Sequence, residues 1–283
     1  MLNEYYTLAN NVLIPKIGLG TWMVEDEDAE QVVASAIEAG YRHIDTAQAY
    51  ENEAGVGRGI KAGNVPRDQL FITTKLAAEA KSYDEAKKAI DESLAKLDLD
   101  YIDMMIIHSP QPWANFGDDD RYFEGNLEAW KALEEAYKDG KLRAIGLSNF
   151  KQQDIQNILD NCTVKPLVNQ VLAHASNTPF DLIEFVQKQE MLVEAYSPVG
   201  HGELFKNDKI KALADKYGVS VPQLVIRYDL QLGLLPLPKS TNPDHMKNNA
   251  DVDFVISDAD MDTLNNLPTI EDYGDASDMP VFQ

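Results

Sequence analysis

Two short apolar runs with a helical stretch between them give the first indication of the fold. The runs are Ile102-Asp103-Met104-Met105-Ile106-Ile107 and Leu142-Arg143-Ala144-Ile145-Gly146-Leu147, and residues 127–138 between them have the spacing of a helix. Gly140 follows that helix, at a position where glycine commonly ends one. Parallel neighbouring strands need a crossover of about a dozen residues or more, so this stretch predicts a strand–helix–strand unit with parallel strands.

The same alternation extends in both directions along the chain. We predict eight barrel strands, at 16–19, 42–45, 70–74, 102–107, 142–147, 166–171, 191–196 and 234–237. We predict the helices that follow them at 28–39, 52–61, 83–96 with Ser82 as its N-cap, 127–138, 151–159, 180–188, 208–217 together with 221–232, and 243–249. Eight such units favour an α/β fold of the (β/α)8 TIM-barrel type with right-handed crossovers.

The segments outside these units complete the predicted architecture. A β-hairpin of residues 5–8 and 12–14 precedes the barrel, and a last helix at 258–265 and a tail at 266–283 follow it. A doubly wound open sheet is the alternative fold, but Gly18-Leu19-Gly20 leads into Thr21-Trp22 and not into a helix, so the dinucleotide-binding glycine pattern is missing. With no repeat or linker in the chain, we predict one domain over residues 1–283.

Composition and charge exclude several classes of function. The 283 residues carry a formal net charge of −22, which disfavours nucleic acid and anionic membranes as partners, because phosphate binding needs clustered Lys and Arg. The single cysteine, Cys162, cannot form an internal disulfide or a cysteine-based zinc site. No basic leader followed by an apolar run is found, and no segment reaches the ~18 apolar residues of a membrane helix. We therefore expect a cytoplasmic protein. We also expect it to be a monomer.

Polar side chains stand where three consecutive predicted strands end. Asp45 and Tyr50 follow the second strand, Lys75 the third and His108 the fourth. Each alone would be read as an ordinary surface or capping residue, but strand ends of a barrel converge on one mouth. A metal site at Asp45 and His108 is disfavoured, because Lys75 beside them would repel a cation and no other clustered ligands are found. We predict no metal.

Five motifs in order along the chain resemble the aldo-keto reductase family. They are Gly40-Tyr41-Arg42-His43-Ile44-Asp45-Thr46-Ala47 followed by Tyr50 and Asn52-Glu53, Ile72-Thr73-Thr74-Lys75, Ile106-Ile107-His108-Ser109-Pro110, Ile145-Gly146-Leu147-Ser148-Asn149-Phe150, and Pro238-Lys239-Ser240. The similarity is greatest to bacterial members such as the 2,5-diketogluconate reductases and broad-range aldehyde reductases. The resemblance implies an oxidoreductase that reduces small-molecule aldehydes or ketones with NADPH.

The four strand-end residues have the chemistry that carbonyl reduction requires. A proton donor with a pKa near the working pH is needed, and a free tyrosine has a pKa near ~10. We expect the ammonium of Lys75 to lower the pKa of Tyr50, and Asp45 to hold Lys75 charged and oriented. Neutral His108 would donate a hydrogen bond to the carbonyl oxygen. The same four roles follow from the family resemblance.

The resemblance also implies a cofactor platform. Ser148, Asn149 and Gln170 would hold the nicotinamide carboxamide and Tyr196 would stack on the ring, while Ser197 and Val199 would lie along the pyrophosphate loop. Lys239 and Ser240 would bind the adenosine 2′-phosphate at the start of a helix, a favourable place for an anion. Thr241 and Asn249 would finish the adenine end.

Three departures from the family pattern affect these expectations. His245 replaces a common Arg, and neutral His lacks the fixed charge and forked donors of Arg. We still expect NADPH, with discrimination against NADH relaxed, so that NADH is also possible. Leu172-Ala173 replaces a Glu-Tyr pair, which puts the packing near the sixth strand in question, and Glu51 replaces a common Gly without clear consequence.

Aromatic residues on the mouth loops predict the substrate pocket. Trp22 and Trp113, with Phe116 and Tyr122, are the candidate walls, and the tail with Tyr273, Met279 and Phe282 is expected to cover the site. Two alternative functions are open. One is a nicotinamide-nucleotide-binding sensor or regulatory subunit with little turnover, and the other is a barrel enzyme that uses Lys75 as a Schiff base.

Overall fold

A computed structural model describes residues 1–282, and its centre is a barrel of eight parallel strands. A two-stranded antiparallel hairpin, β1 (Tyr5–Thr7) and β2 (Leu13–Pro15), precedes it. The barrel strands are β3 (Leu19–Gly20), β4 (His43–Asp45), β5 (Phe71–Leu76), β6 (Ile102–Ile107), β7 (Leu142–Ser148), β8 (Val168–Leu172), β9 (Leu192–Tyr196) and β10 (Leu235–Leu237). Most residues of these strands are buried on both faces, as in parallel strands covered by helices, and Arg143 in β7 is the exposed exception.

The strand order follows the chain, β3 to β10, and the barrel is closed between its first and last strands. Gly18 N donates to Pro236 O at 3.2 Å, and Gly20 N donates to Pro238 O at 3.1 Å. The predicted (β/α)8 barrel is thereby confirmed. In such a barrel the side chains that follow the carboxyl ends of the strands meet at one mouth.

Helices cover the outside of the barrel. They are α1 (Asp26–Glu38), α2 (Glu53–Ala62), α3 (Tyr83–Leu97), α4 (Phe123–Lys138), α5 (Gln152–Asn161), α6 (Phe180–Lys188), α7 (Asp208–Tyr217), α8 (Val221–Gln231), α9 (Pro243–Ala250) and α10 (Asp258–Asn265). The predicted cap of α3 is confirmed, since the Ser82 hydroxyl accepts from Glu85 N at 3.3 Å. Within residues 1–282, none of these helices is both long and apolar enough to cross a membrane.

Two element boundaries differ clearly from the prediction. The first barrel strand was expected at 16–19 but is Leu19–Gly20, because Lys16 N donates to Glu4 O of the hairpin at 2.9 Å and so leaves the barrel ladder. Helix α4 begins at Phe123 rather than 127. Its first turn, which contains Gly125 and Asn126, is held by tertiary contacts: Asn126 accepts from Lys81 Nζ at 2.8 Å and donates to Pro110 O at 2.9 Å.

The amino-terminal end of the barrel is closed by the hairpin. Leu8 and Ile14 pack in one buried cluster with Phe71, Val168 and Leu235, which lie at strand starts. Tyr6 Oη donates to Leu234 O at 3.0 Å, and Asn10 Nδ2 donates to Arg143 O at 3.0 Å. The opposite, carboxyl-terminal end is therefore where the barrel opens to a ligand.

Candidate active site

A cavity of about 520 Å³ opens at the carboxyl ends of the strands. It is lined by twelve of the predicted site residues: Trp22, Asp45, Tyr50, His108, Trp113, Ser148, Asn149, Gln170, Tyr196, Ser197, Val199 and Lys239. Lys75 does not line the cavity, because its ammonium is buried behind Tyr50 and Asp45. Ser240, Thr241 and His245 lie around the start of α9 and Asn249 near its end, all outside the cavity lining.

Lys75 links the polar groups of strands β4 and β5. Its side chain is only 1% exposed, and its Nζ donates to Asp45 Oδ1 at 2.5 Å, to Thr46 O at 2.9 Å and to Tyr50 Oη at 3.2 Å. Burial lowers the pKa of Lys75, but the Asp45 carboxylate and Tyr50 raise it, and the net direction is upward. Lys75 therefore stays an ammonium at neutral pH.

The expected lowering of the Tyr50 pKa is wrong for this structure. Burial raises the pKa of the phenol, the Lys75 ammonium lowers it, Asp45 raises it again, and the net direction is upward from its ordinary value. The reason is that burial takes hydration away from a phenolate here, while the charge of Lys75 is already shared with Asp45. Tyr50 is therefore a protonated phenol at neutral pH, able to donate.

His108 is a neutral imidazole beside Tyr50. The two rings meet edge to face with centroids 5.6 Å apart, and Trp113 contacts His108 in the same way at 5.1 Å. Burial, together with the nearby Lys75 ammonium, holds the pKa of His108 well below its usual range. A neutral imidazole has one N–H to donate, as the sequence predicted for this residue.

The three residues expected to hold a carboxamide lie together, but many of their hydrogen bonds are already made to one another and to neighbouring residues. Ser148 Oγ donates to Gln170 O at 2.9 Å. Asn149 Nδ2 donates to His108 O at 3.0 Å and Ser148 Oγ at 3.2 Å, and its Oδ1 accepts from Tyr196 Oη at 2.8 Å. Asn149 also has a positive φ of 62°, a conformation that Asn tolerates better than most residues. Tyr196 is thereby fixed with its ring at the cavity.

Glu194 is a site residue that the sequence reasoning missed. It is 0% exposed, and its Oε2 accepts from Gln170 Nε2 at 2.8 Å, while the same nitrogen donates to Asp45 Oδ2 at 2.9 Å. Burial and the neighbouring Asp45 charge raise the pKa of Glu194 to about 8. The signal that could have found it is strand periodicity, since Glu194 lies two positions before Tyr196 and so on the same face of β9.

The loop after β9 also carries a residue that was not predicted. His201 Nε2 lies 3.0 Å from Ser197 Oγ, and Ser197 has a positive φ of 54°. The His201 ring meets Trp22 edge to face at 5.2 Å and Phe282 at 4.7 Å. The loop is therefore tied to both the first barrel strand and the C-terminal tail.

The C-terminal tail covers part of the mouth, as expected. Met279 and Phe282 line the cavity, and Tyr273 packs behind them with Phe282 at a centroid distance of 5.0 Å. Trp22 stacks on Phe282 at 5.9 Å. Leu172, at one of the positions that depart from the family pattern, packs in this same cluster, which answers the question of packing near the sixth strand.

Of the three other residues predicted to form pocket walls, one lines the cavity and two do not. Trp113 lines it, while Phe116 packs against Trp113 at 5.9 Å, outside the lining. Tyr122 also stays outside, with its Oη donating to Asn115 Oδ1 at 3.2 Å.

The segment before α9 differs from the expected anion site. The helix begins at Pro243, and Asn242 Oδ1 accepts from Asp244 N at 2.8 Å and from His245 N at 3.4 Å, so two of the first N–H groups already have a partner. Ser240 Oγ donates to Asn242 O at 3.2 Å and lies in the preceding turn. Lys239 is exposed at the cavity rim and makes no ion pair within residues 1–282.

Glu51 adopts a backbone conformation that the sequence did not predict. It follows Tyr50 directly, and its φ of 56° places it in the left-handed region that favours glycine. This explains why glycine is common at the position in the family.

In the described part of the chain, no group of three or more His, Cys, Asp or Glu is arranged to hold a metal ion. The ionisable groups at the base of the cavity are one ammonium, one carboxylate and one carboxyl group of raised pKa, all buried. Together with the phenol and the imidazole, they define a site for proton transfer to a bound carbonyl group on a (β/α)8 barrel, as in carbonyl-reducing oxidoreductases.

Comparison with known proteins identifies the family. A sequence profile of the Aldo/keto reductase family matches residues 16–268, so the chain belongs to the aldo-keto reductases. It is 40% identical to the glyoxal reductase of Bacillus subtilis, over 99% of this chain and 99% of that protein.

Solved structures agree with this assignment. The aldo-keto reductase of Bombyx mori in complex with NADP is 34% identical, with a TM-score of 0.86 over 97% of this chain and 96% of that one. The aldose reductase of Schistosoma japonicum is 33% identical, with a TM-score of 0.88 over 98% and 96%. The protein is thus an NAD(P)H-dependent oxidoreductase that acts on small-molecule carbonyl compounds.

Proposed function

We propose that the protein reduces aldehydes and ketones to alcohols with NADPH, and that Tyr50 is the proton donor. The observation that carries this proposal is the buried chain in which Lys75 Nζ bonds both Asp45 Oδ1 at 2.5 Å and Tyr50 Oη at 3.2 Å, with Tyr50 at the cavity surface. A phenol that faces a ligand cavity with an ammonium behind it is suited to general acid catalysis.

The proposed reaction forms one C–H bond and one O–H bond. The carbonyl carbon would accept a hydride from a reduced nicotinamide, which when bound would supply both electrons and be left oxidised. The Tyr50 hydroxyl transfers its proton to the carbonyl oxygen, and the electron pair of the O–H bond stays on Tyr50. Lys75 stabilises the resulting phenolate through its ammonium, and Asp45 keeps that ammonium oriented. His108 donates a hydrogen bond to the same carbonyl oxygen and positions it for the transfer.

The cavity residues fit a nicotinamide dinucleotide. Gln170 lines the cavity, and its side-chain oxygen makes no hydrogen bond with any residue of the described chain, so it is free to accept from a carboxamide. Tyr196 offers an aromatic face beside it, and Ser197 and Val199 continue the lining toward Lys239. Lys239, which makes no ion pair with the described residues, offers a positive charge to a phosphate group at that end.

Preference for NADPH over NADH is proposed to depend on Lys239, with His245 contributing little because it is exposed and lacks the fixed charge and forked donors of Arg. A His245→Arg variant adds a fixed positive charge, and one charge-assisted hydrogen bond contributes about 1.5–3 kcal/mol. We therefore expect this variant to tighten NADPH binding by about one to two decades and NADH binding much less. Measured Kd values for both cofactors test this, and an unchanged ratio would contradict it.

The assignment of Tyr50 is tested with a Tyr50→Phe variant. Loss of a general acid costs about 10²–10⁴ in kcat, so we expect a fall of that size with NADPH binding retained, since the ring and its packing remain. Turnover is followed by NADPH oxidation with glyoxal and with simple aldehydes and ketones. Glyoxal is included because the Bacillus subtilis relative is named for it.

A Tyr137→Phe variant is the matched control. It removes a phenol hydroxyl near the other end of the barrel, where Asn10 Nδ2 lies 3.4 Å from it, and should keep wild-type turnover. Wild-type kcat in the Tyr50 variant, or an equal loss in both variants, would reject Tyr50 as the proton donor. Absence of turnover in the wild-type protein, with cofactor binding intact, would instead indicate a nucleotide-binding protein.

A further inference from the structure

The side-chain amide of Gln170 is held between two carboxyl groups. Its Nε2 donates to Asp45 Oδ2 at 2.9 Å and to Glu194 Oε2 at 2.8 Å. Gln170 and Glu194 are direct register partners in the parallel pairing of β8 with β9, so both side chains point to the same side of the sheet. Both hydrogens of the amide nitrogen are used within the barrel.

This arrangement decides which way the amide faces. If the amide were rotated by 180°, its oxygen would lie against the Asp45 carboxylate and its nitrogen would lose both acceptors, which is costly in a buried site. The oxygen of Gln170 must therefore face the cavity, where it has no partner in the described residues. The cavity thus presents a fixed acceptor at this point, not an interchangeable donor or acceptor.

We propose that Glu194 is a positioning residue that fixes the orientation of the Gln170 amide, so that Gln170 offers its oxygen to the nicotinamide carboxamide. The proposal rests on the proposed NADPH function. Glu194 itself is 0% exposed and does not line the cavity, so it acts only through Gln170. Asp45 cannot perform this task alone, because it satisfies one amide hydrogen and its other oxygen is bound to Lys75.

The electrostatics allow a second carboxyl group here. Asp45 and Lys75 already balance each other in charge, and an ionised Glu194 would add an uncompensated charge at the base of the site. A neutral carboxyl group still accepts a hydrogen bond from the amide without that cost. Within residues 1–282 the other oxygen of Glu194, Oε1, has no hydrogen-bond partner, which agrees with a role limited to the single contact with Gln170.

The test compares two variants and two ligands. Glu194→Met keeps the length of the side chain but removes the acceptor, while Glu194→Gln keeps a carbonyl oxygen that can accept from Gln170. Binding is measured for NADPH and for adenosine 2′,5′-bisphosphate, which lacks the nicotinamide. Thermal unfolding of each variant reports whether the barrel is intact, and Glu194→Leu replaces the Met variant if that one does not fold.

We expect Glu194→Met to bind NADPH about threefold to tenfold more weakly, the size of one neutral hydrogen bond, and adenosine 2′,5′-bisphosphate as tightly as the wild type. KM for NADPH should rise while kcat changes less. Glu194→Gln should restore NADPH affinity. Loss of affinity for NADPH alone is informative, because a merely structural defect would weaken the binding of both ligands.

Two results would overturn the proposal: unchanged NADPH affinity in Glu194→Met, or equal weakening of both ligands. A distinct result, wild-type protein that does not bind NADPH at all, would reject the proposed function on which the inference depends. The wild-type measurement therefore separates failure of the inference from failure of the function.

Discussion

Tyr50 and Lys75 illustrate how burial and neighbouring charge compete at a single residue. At Lys75 the attraction of Asp45 and Tyr50 outweighs burial, so the pKa rises and the charge is kept. At Tyr50 burial outweighs the attraction of Lys75, so the pKa also rises and the proton is kept. Both groups are then in the protonation state that a reduction needs at neutral pH, with the phenol as donor and the ammonium ready for the phenolate.

Glu194 gives a pH dependence of stability whose sign follows from its raised pKa. An unfolded chain releases this proton near its ordinary pKa of 4.5, whereas the folded protein holds it until about 8. Between these values the folded state binds more protons than the unfolded state, so the contribution of Glu194 to stability is fully present below pH 4.5 and is lost as the pH rises to about 8. The slope is at most about 1.4 kcal/mol per pH unit.

A Glu194→Gln variant should lack this loss. We expect the Tm of the variant minus the Tm of the wild type to increase from pH 5 to pH 8, measured by scanning calorimetry in matched buffers. Asp45 and Lys75, the charged neighbours, are unchanged in the variant, so their contributions largely cancel in the difference. A Tm difference that stays constant or shrinks over this range would contradict the assignment of a neutral buried Glu194.

The sequence predicted part of the site at this scale and missed the rest for a physical reason. Asp45, Tyr50, Lys75 and His108 were predictable, since strand ends of a barrel converge and their side chains suit proton transfer. Glu194 and Asn242 were not singled out. Their contacts depend on the strand register and on the geometry of one turn, which a single sequence does not specify. The net direction of the Tyr50 pKa was likewise unpredictable, because it depends on how deeply the phenol is buried.

At the level of elements, the two ends of the strands have different tasks. The carboxyl ends carry the candidate site. The amino ends carry interactions that cover that end of the barrel and join neighbouring strands to one another. Asp103 in β6 is 0% exposed and bonds Arg143 Nη1 at 2.5 Å, Arg67 Nη2 at 2.7 Å and Ile72 N at 2.9 Å. One carboxylate thus joins three consecutive strand starts, β5, β6 and β7.

An Asp103→Ala variant should lose about 3 kcal/mol of unfolding free energy. It leaves the buried Ile72 N–H without an acceptor and two guanidinium groups without their partner, although both are partly hydrated and moderate the loss. Chemical denaturation measures the effect, and kcat of the folded variant should stay close to wild type, because the residue lies at the end of the barrel away from the cavity.

Asp91→Ala is the matched control for this prediction. Asp91 pairs with Lys141 at 2.6 Å, but both side chains are largely exposed, and such pairs contribute about 0–1 kcal/mol. If the two variants lose equal free energy of unfolding, the buried contacts of Asp103 contribute no more to stability than an exposed ion pair does.

Element boundaries show where sequence patterns are sufficient. The spans of β6, α6, α7 and α10 were predicted as observed, because apolar runs bounded by turn residues leave little choice. The first barrel strand and the start of α4 were displaced by contacts distant in sequence, with Glu4 in one case and with Lys81 and Pro110 in the other. Local pattern cannot contain such contacts.

For the whole molecule, the dominant electrostatic feature is the excess of 47 acidic over 25 basic residues. Added salt screens both kinds of interaction between exposed charges. Weaker ion pairs lower the stability of the folded protein, whereas weaker repulsion among the excess acidic residues raises it. With a formal net charge of −22, the repulsion should outweigh the few tenths of a kcal/mol that each exposed pair contributes.

We therefore expect Tm to rise when NaCl is increased from about 0.01 to 0.15 M, as the screening length falls from ~30 Å to ~8 Å. A thermal unfolding series in NaCl measures this, with KCl at equal ionic strength as the control for ion-specific effects. A falling Tm in both salts would mean that ion pairs, not repulsion, dominate the surface.

The cytoplasmic location and the monomeric state stay predictions from the sequence.

The placement of Phe282 has a practical consequence for handling the protein. This residue packs between Trp22 and His201 at the cavity mouth. Met1 lies next to the hairpin that covers the amino-terminal end of the barrel, where its O accepts from Glu4 N at 3.0 Å and its amino group bonds Asp253 at 2.9 Å. An affinity tag or surface linker fused behind Phe282 would emerge beside the entrance and compete with arriving ligands for space. Attachment ahead of Met1 leaves the entrance clear, and so is the better choice for immobilised assays.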